Sequence, residues 1–177
     1  LLARAKFEQV LRDCRPGAGS SQQNHELQLV TAGALLALDR APEAQSAYEA
    51  ILAASPADVE AWIGQARAVD QVGGLDAAKA ALGKAPAAVK DDVRYWLAIA
   101  SLNTRAGLFA DAEVAYEAAA AKADEKGLAG AARVMALGGL AESQLQQGKI
   151  ESAKQTAAKL EKAAPENPMA MMLRGQI

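Results

Sequence analysis

The side chains that most often carry chemistry in proteins are scarce in this sequence. There is one cysteine, Cys14, and one histidine, His25. An internal disulfide needs two cysteines, and a structural zinc site needs about four cysteine or histidine ligands. We therefore expect no disulfide, no metal and no cofactor, and cysteine usage leaves the cellular compartment unconstrained.

Catalysis by the titratable residues also has little support. A histidine acting as a general base needs a positioned partner, and the sequence shows none for His25, which we predict to be a surface residue near a helix start. The acidic pairs Asp91-Asp92 and Asp124-Glu125 lie near predicted helix ends, where carboxylates complement the helix dipole or remain solvated. No phosphate-binding loop or nucleophile motif is present. The prediction is that the chain is not an enzyme.

Composition favours thin layers of closely packed helices. Hydrophobic residues make up 51% of the 177 residues, but aromatic residues only 4%, and about a quarter of the chain is alanine, the best helix former.

The net charge of −2 gives no basic surface for nucleic acid. The apolar runs are too short to span a membrane. Because the sequence opens on helix-like residues without Met, we expect a piece of a longer protein.

A pattern of a small residue followed four positions later by an apolar residue, most often an aromatic, recurs along the chain. The small residues are separated by 41, 34, 34 and 41 positions. They are Ala3, Ala44, Ala78, Ala112 and Ala153. A second set of small residues keeps related steps of 34, 34, 41 and 34, and comprises Ala32, Ala66, Ala100, Ala141 and Gly175. Trp62 and Trp96 each precede a member of the second set by four residues. A fixed period of this kind indicates a repeat protein.

Turn residues obey the same steps. Gly73, Gly107 and Gly148 precede the motif alanines by five residues, and Asp39 takes that place in the first full repeat. We expect these glycines to end helices in the left-handed conformation that side chains resist. Pro56 lies where a second helix should end.

The pattern W-x-x-x-A, G-x-x-x-x-A-x-x-x-Y and P resembles the tetratricopeptide repeat over nearly the whole chain. The resemblance implies an all-α, right-handed superhelical solenoid of antiparallel helix pairs, with about four full repeats and flanking half repeats. The predicted parts are a half repeat at 1–14, a loop at 15–24, repeats at 25–58, 59–92, 93–126 and 134–167, and the start of another repeat at 168–177.

Two departures from the 34-residue period require insertions. The first is absorbed by the predicted loop at 15–24. The second lies around Lys122 to Gly130, where either the helices are lengthened or a short loop is added, and we favour longer helices. We expect the alanines of the second set to lie where helices cross. The aromatics Tyr48, Trp62, Trp96 and Tyr116 should fill the gaps between repeats.

The resemblance also implies a binding surface on the concave face, which the first helices of the repeats line. A protein or peptide partner is expected there. Carrying the repeat register over gives a polar strip of candidate partner-binding residues: Arg67, Asp70, Gln71, Arg94, Ser101, Thr104, Arg105, Glu142 and Gln146. Among them, the three arginines are the strongest candidates for an acidic group, because a guanidinium can hold a carboxylate bidentately.

One subclass of the family grips a peptide C-terminal carboxylate with a clamp of lysine and asparagine side chains. That clamp is absent. The matching positions hold Leu29, Gly33, Gly64, Arg67, Ala98 and Ser101.

Three functional interpretations stay open. The first is a non-catalytic scaffold that binds a protein or peptide. The second is a structural spacer or self-assembling segment, joined through its apolar ends. These ends hold Leu1, Leu2 and Phe7 on one side and Met169, Met171, Met172, Leu173 and Ile177 on the other. The third is a regulatory arm fused to an enzyme. The segments 147–153, 164–170 and 173–176 also resemble repeat proteins of bacterial polysaccharide export and exosortase systems. That resemblance would imply a periplasmic or envelope location, with the cytoplasm as the alternative.

Overall fold

The structure is a computed structural model that describes residues 2–13, 21–128 and 130–176. Within these ranges the side chains of a few helical residues are not described, namely Leu2, Ala3, Val10, Asp13, Met169, Arg174 and Gln176. Cys14 and residues 15–20, which hold most of the predicted first loop, lie outside the described residues.

All regular elements in the described ranges are helices, and they fall into two compact units. The first unit, Leu1–Val89, holds α1 (Leu2–Asp13), α2 (Ser21–Ala37), α3 (Ala41–Ala54) and α4 (Val59–Gly83). A short helix, α5 (Ala87–Lys90), contains the boundary between the two units along the chain. The second unit, Lys90–Ile177, holds α6 (Val93–Arg105), α7 (Phe109–Glu125), α8 (Ala131–Gln146), α9 (Ile150–Ala163) and α10 (Pro168–Gln176).

Each unit is built from helix pairs that share one arrangement. Consecutive long helices of a unit pack against each other, and alternate helices also touch: α2 contacts α4, and α8 contacts both α6 and α10. We call α2, the part of α4 before its kink, α6, α8 and α10 the first helices. The remaining long helices, which follow them in each pair, are the second helices.

The turn inside a helix pair is the same at three places. The backbone N–H groups of Arg40, Leu108 and Lys149 donate to carbonyls five residues earlier, at 3.0, 2.9 and 2.9 Å. Just before each donor stands a residue with positive φ, at Asp39 (60°), Gly107 (73°) and Gly148 (72°). This is the Schellman type of helix end, and it confirms the predicted turns at these three positions.

The prediction for Gly73 is wrong by one residue. The positive φ of 76° falls on Gly74, and the backbone kinks there inside α4. Gly73 stays helical, and a Cβ added to it would lie 3.0 Å from that of Ala77. Because two glycines stand in succession, the chain can turn at the second one.

The residues that cap the first helices explain why α8 begins earlier than the predicted repeat boundary at 134. Asp58 and Asp92, separated by one 34-residue step, cap α4 and α6 by accepting from the N–H groups of Ala61 (2.7 Å) and Arg94 (2.8 Å). One repeat later the matching residue is Arg133, which cannot accept such a bond, and α8 already begins at Ala131.

Residues 21–24, which we expected in the first loop, form the start of α2 instead. They contain neither glycine nor proline, so nothing in them opposes an earlier helix start.

The second insertion lengthens helices, as we favoured. Helix α7 has 17 residues, whereas the second helices α3 and α9 have 14 each. The turn that follows α7 uses Gly127, whose φ is 63°.

The motif alanines form the closely packed interior. The relative exposures of Ala32, Ala66, Ala100 and Ala141 are 0%, 1%, 0% and 0%. The alanines of the other set, from Ala44 to Ala153, are all 0% exposed. A larger side chain at such positions would force the helices apart, at a cost of about 1–3 kcal/mol each.

The two tryptophans anchor the loops that precede their helices. The Trp62 indole N–H donates to the carbonyl of Pro56 at 2.8 Å, and that of Trp96 donates to the carbonyl of Lys90 at 2.9 Å. Because the contact uses a backbone carbonyl, a lysine can stand where the repeat pattern has proline.

Candidate partner-binding face

The predicted binding residues all lie on first helices. In the first unit, Arg67 and Gln71 are exposed on α4, and Asp70 is half-buried. In the second unit, Ser101 and Arg105 are exposed on α6, while Glu142 and Gln146 are exposed on α8. Since α6 and α8 pack together, one unit presents polar residues from two adjacent helices.

Two predicted residues are turned toward their own helix. The guanidinium of Arg94 holds the Asp92 carboxylate through two bonds, from Nε at 3.0 Å and from a terminal nitrogen at 2.9 Å. These hydrogen bonds lower the pKa of Asp92. The Thr104 hydroxyl donates to the carbonyl of Ala100 at 2.9 Å. Because both side chains already make hydrogen bonds within the protein, they are less available to a partner than their sequence positions suggest.

A tyrosine from a second helix packs on a glycine of the next first helix in both units. A Cβ built on Gly64 would lie 2.2 Å from Cζ of Tyr48, and one built on Gly139 would lie 2.2 Å from Cζ of Tyr116. The ring occupies the space of the missing side chain. Tyr48 and Tyr116 therefore fill gaps between repeats, and a side chain at Gly64, one of the positions that match the carboxylate clamp, would collide with the Tyr48 ring.

The prediction that His25 lacks a partner is wrong. Its Nε2 lies 2.6 Å from Oδ2 of Asp58, and the other oxygen of that carboxylate caps α4. The two side chains are 30% and 14% exposed. Because Asp58 stands 33 residues away, the contact follows from the pairing of repeats and cannot be read from local sequence. It joins α2 to the start of α4.

A buried carboxylate, also missed by the sequence, links the helices of the second unit. Glu113 of α7 is 9% exposed. It accepts from Lys149 at 2.6 Å, from Gln147 at 2.8 Å and from Gln144 at 3.3 Å. Thr156 of α9 donates to the other end of the Gln144 amide at 2.9 Å. Burial raises the pKa of Glu113, but the three donors outweigh it and leave the pKa lowered.

The acidic pairs serve as ion-pair partners. Asp91 lies 2.9 Å from the ammonium groups of both Lys126 and Lys122, and hydrogen bonds from these lysines lower its pKa to about 2. Lys122 also contacts Glu125 at 2.9 Å, and the two carboxylates raise the pKa of Lys122 to about 12. Arg133 contacts Asp124 at 2.7 Å. The lengthened end of α7 is thus tied to the loop before α6.

Two further properties concern the described part of the chain. No group of three or more metal-ligating His, Cys, Asp or Glu side chains occurs among its residues. None of its helices combines the length and apolar character needed to cross a membrane.

Comparison with known proteins identifies the repeat. Residues 35–102 and residues 139–177 match two family models, each described as tetratricopeptide repeat. The chain is a tetratricopeptide repeat protein. Among curated proteins, none matches it.

Solved structures of tetratricopeptide repeat (TPR) proteins share the fold. TTC0263, a thermophilic TPR protein of Thermus thermophilus, has 20% identity and a TM-score of 0.67, over 98% of this chain and 86% of that one. YrrB, described as a TPR protein with an unusual peptide-binding site, has 14% identity and a TM-score of 0.61, over 99% and 87%. MamA of MSR-1 has 15% identity and a TM-score of 0.53, over 98% and 90%. These likenesses confirm the predicted all-helical TPR fold. That fold supports a general role as a protein-interaction scaffold.

Proposed function

We propose that this TPR protein is a non-catalytic scaffold that binds a peptide or protein through the exposed sides of its first helices. The observation that carries the proposal is the placement of exposed polar residues there. Ser101 of α6 and Glu142 of α8 occupy the same repeat position on two helices that pack together, and both are exposed. YrrB, which shares the fold, is described as having a peptide-binding site, which supports the proposal.

A matched pair of bulky substitutions tests this proposal. Ser101→Trp places an indole on the first-helix face, and Gln155→Trp places the same group on α9, a second helix. Both residues are exposed and helical, so circular dichroism should show both variants folded. With the chain as bait, captured proteins would be identified by mass spectrometry and their affinities measured by biolayer interferometry. The proposal predicts that Ser101→Trp weakens binding and Gln155→Trp does not. Equal binding by both variants would refute it.

Self-association is a second candidate function, favoured by one observation on α10. Met171 and Met172 are 63% and 49% exposed on this helix, and exposed apolar side chains of this kind favour association. Light scattering at increasing protein concentration should then show a rising mass, and Met171→Gln with Met172→Gln should keep the chain monomeric. A constant monomer mass for the unaltered chain rejects this candidate. The suggested place in a bacterial envelope complex stays a prediction.

A further inference from the structure

The exposed sides of the two long second helices in the second unit carry opposite charges. Over residues 110–121, the exposed residues of α7 are Ala110, Asp111, Val114, Glu117 and Ala121. One 41-residue step later, the exposed residues of α9 are Glu151, Ser152, Lys154, Gln155, Ala158, Lys159 and Lys162. The α7 strip therefore holds two acidic side chains and no basic one. The α9 strip holds three lysines and one glutamate, so its net charge is equal in size and opposite in sign.

These two strips lie side by side. Lys149, the residue before α9, contacts Glu113 of α7 at 2.6 Å, and Gln147 donates to the carbonyl of Phe109, the first residue of α7, at 3.1 Å. The starts of the two helices are therefore adjacent. Both helices are joined to α8 along the chain and pack on it, so they run in the same direction. Their buried residues lie on the other side of each helix, and the two strips form one exposed surface, which we call the α7–α9 face.

A second copy of the chain fits this surface because its charges are self-complementary. A two-fold axis that runs between α7 and α9, parallel to both, sets the α7 strip of one copy on the α9 strip of the other. Equivalent repeat positions then lie level, so Glu117 meets Lys159 of the second copy and Asp111 meets Lys154 of the second copy. The symmetry makes each contact twice. An axis across the helices would instead set acidic α7 against acidic α7, which like charges oppose.

The side chains between the charges allow the two copies to approach. Val114 is 64% exposed at the centre of the α7 strip, and an exposed apolar residue of this size gains by leaving water. The remaining positions of that strip, 110 and 121, are alanines, and so is 158 on α9. Short side chains at these positions let helices of two copies pack closely.

We propose that two copies of the chain associate through their α7–α9 faces, with the acidic strip of each on the basic strip of the other. The inference goes beyond the proposed function and does not rest on it, and it assigns self-association to a surface other than α10. Since the first helices stay exposed, the dimer would present two partner-binding surfaces, which increases the apparent affinity for a partner with two binding segments.

The size of the face makes the dimer weak and salt-dependent. Helices of 17 and 14 residues are about 20–25 Å long, and neighbouring helices lie about 10 Å apart. The face therefore covers about 400–500 Å² per copy, roughly half of the ~800 Å² that each partner buries in a stable complex. Association should be measurable only at high protein concentration, and salt should screen the exposed charges that direct it.

Sedimentation equilibrium measures this association directly. Every sample carries Met171→Gln and Met172→Gln, so that contacts through α10 do not contribute. At about 50 mM salt, the mass should rise from that of a monomer toward that of a dimer between about 10 μM and about 1 mM protein. Raising the salt to about 500 mM should weaken the dimer about 10-fold. A constant monomer mass at low salt, or a dimer that salt does not weaken, would overturn the proposal.

Charge reversal tests the pairing of the strips. Glu117→Lys and Lys159→Glu should each weaken the dimer about 10-fold or more, because either homodimer then contains two like-charged contacts. An equimolar mixture of the two variants should recover dimerisation, since position 117 of one variant and position 159 of the other again carry opposite charges. Both residues are exposed, so circular dichroism should show both variants folded.

Glu49→Lys is the matched control. Glu49 lies two 34-residue steps before Glu117 and is exposed on α3, the second helix of an earlier repeat, so the same charge change occurs at the same repeat position outside the α7–α9 face. This variant should dimerise as the unaltered chain does. If Glu117→Lys weakens the dimer no more than Glu49→Lys, or if the mixture dimerises no better than either variant alone, the two strips do not pair.

Discussion

A methyl group added at Gly64 should destabilise the protein, although alanine is the better helix residue. The gain in helix propensity from Gly to Ala is about 1 kcal/mol. Against it, the new Cβ would lie 2.2, 2.4 and 2.6 Å from three atoms of Tyr48. Those contacts are far inside van der Waals range, and the buried ring has little space to move. Overpacking at the upper end of its usual 1–3 kcal/mol leaves Gly64→Ala about 2 kcal/mol less stable.

The same substitution at Gly33, on the preceding first helix α2, should instead stabilise the protein. A Cβ on Gly33 meets the Tyr48 hydroxyl at 3.8 Å, an ordinary contact. Gly33→Ala should therefore keep the full propensity gain and stabilise the protein by about 1 kcal/mol. Urea unfolding, followed by circular dichroism at about 222 nm, measures both variants as shifts of the midpoint.

A double variant tests whether the collision with the Tyr48 ring causes the loss of stability in Gly64→Ala. In the next repeat, Leu82 and Ala98 stand at the positions of Tyr48 and Gly64. Tyr48→Leu removes the ring that Gly64→Ala would strike, so the double variant should be more stable than the sum of the two single effects predicts. If Gly64→Ala stabilises the protein as much as Gly33→Ala does, or if the two effects simply add, the packing argument is wrong.

Three more predictions concern the polar contacts. Glu113→Gln should lower the stability by about 1–3 kcal/mol, because the donors around Glu113 face a charged acceptor. The folded-state pKa of Glu113 lies below its ordinary 4.5, so its contribution to stability is present above that pH and is lost as the pH falls through the folded-state pKa. The stability difference between the unaltered chain and Glu113→Gln should therefore vanish in acid. The opposite pH trend would contradict this. Carboxyl NMR should find the pKa of Asp91 near 2, rising toward its ordinary value in Lys126→Ala; an unchanged value there would exclude the ion pair as the cause. Asp58→Ala, which loses the α4 cap and the His25 contact, should lower stability more than His25→Ala, by about 1 kcal/mol in thermal unfolding; equal losses would mean that the cap contributes nothing.

Local features of the sequence predicted the helix pairs well. The 34-residue repeat pattern reflects which residues fit at helix crossings and which fit at turns. Each of these requirements involves only a few neighbouring residues. The alanines at crossings and the turns at Asp39, Gly107 and Gly148 were therefore predictable. The turn at Gly74 was not, because either of two neighbouring glycines can adopt the required conformation.

Contacts between repeats were harder to predict. The partners of His25 and Glu113 lie more than 30 residues away, so no local pattern identifies them. The packing of Tyr48 on Gly64 left a signal that comparison of repeats could have found. Where the second helix has tyrosine, at 48 and 116, the next first helix has glycine, at 64 and 139, whereas leucine at 82 accompanies alanine at 98. The combined size of the two residues is therefore similar in each repeat, although the residue at each single position changes.

Hydrogen exchange of the chain with and without a captured partner tests the binding face most directly. Bound partner should slow amide exchange in the first helices, above all in the first half of α4 and in α6 and α8, and leave α3, α7 and α9 unchanged. Protection confined to the second helices, or to α10 alone, would contradict the proposal that the first helices bind the partner.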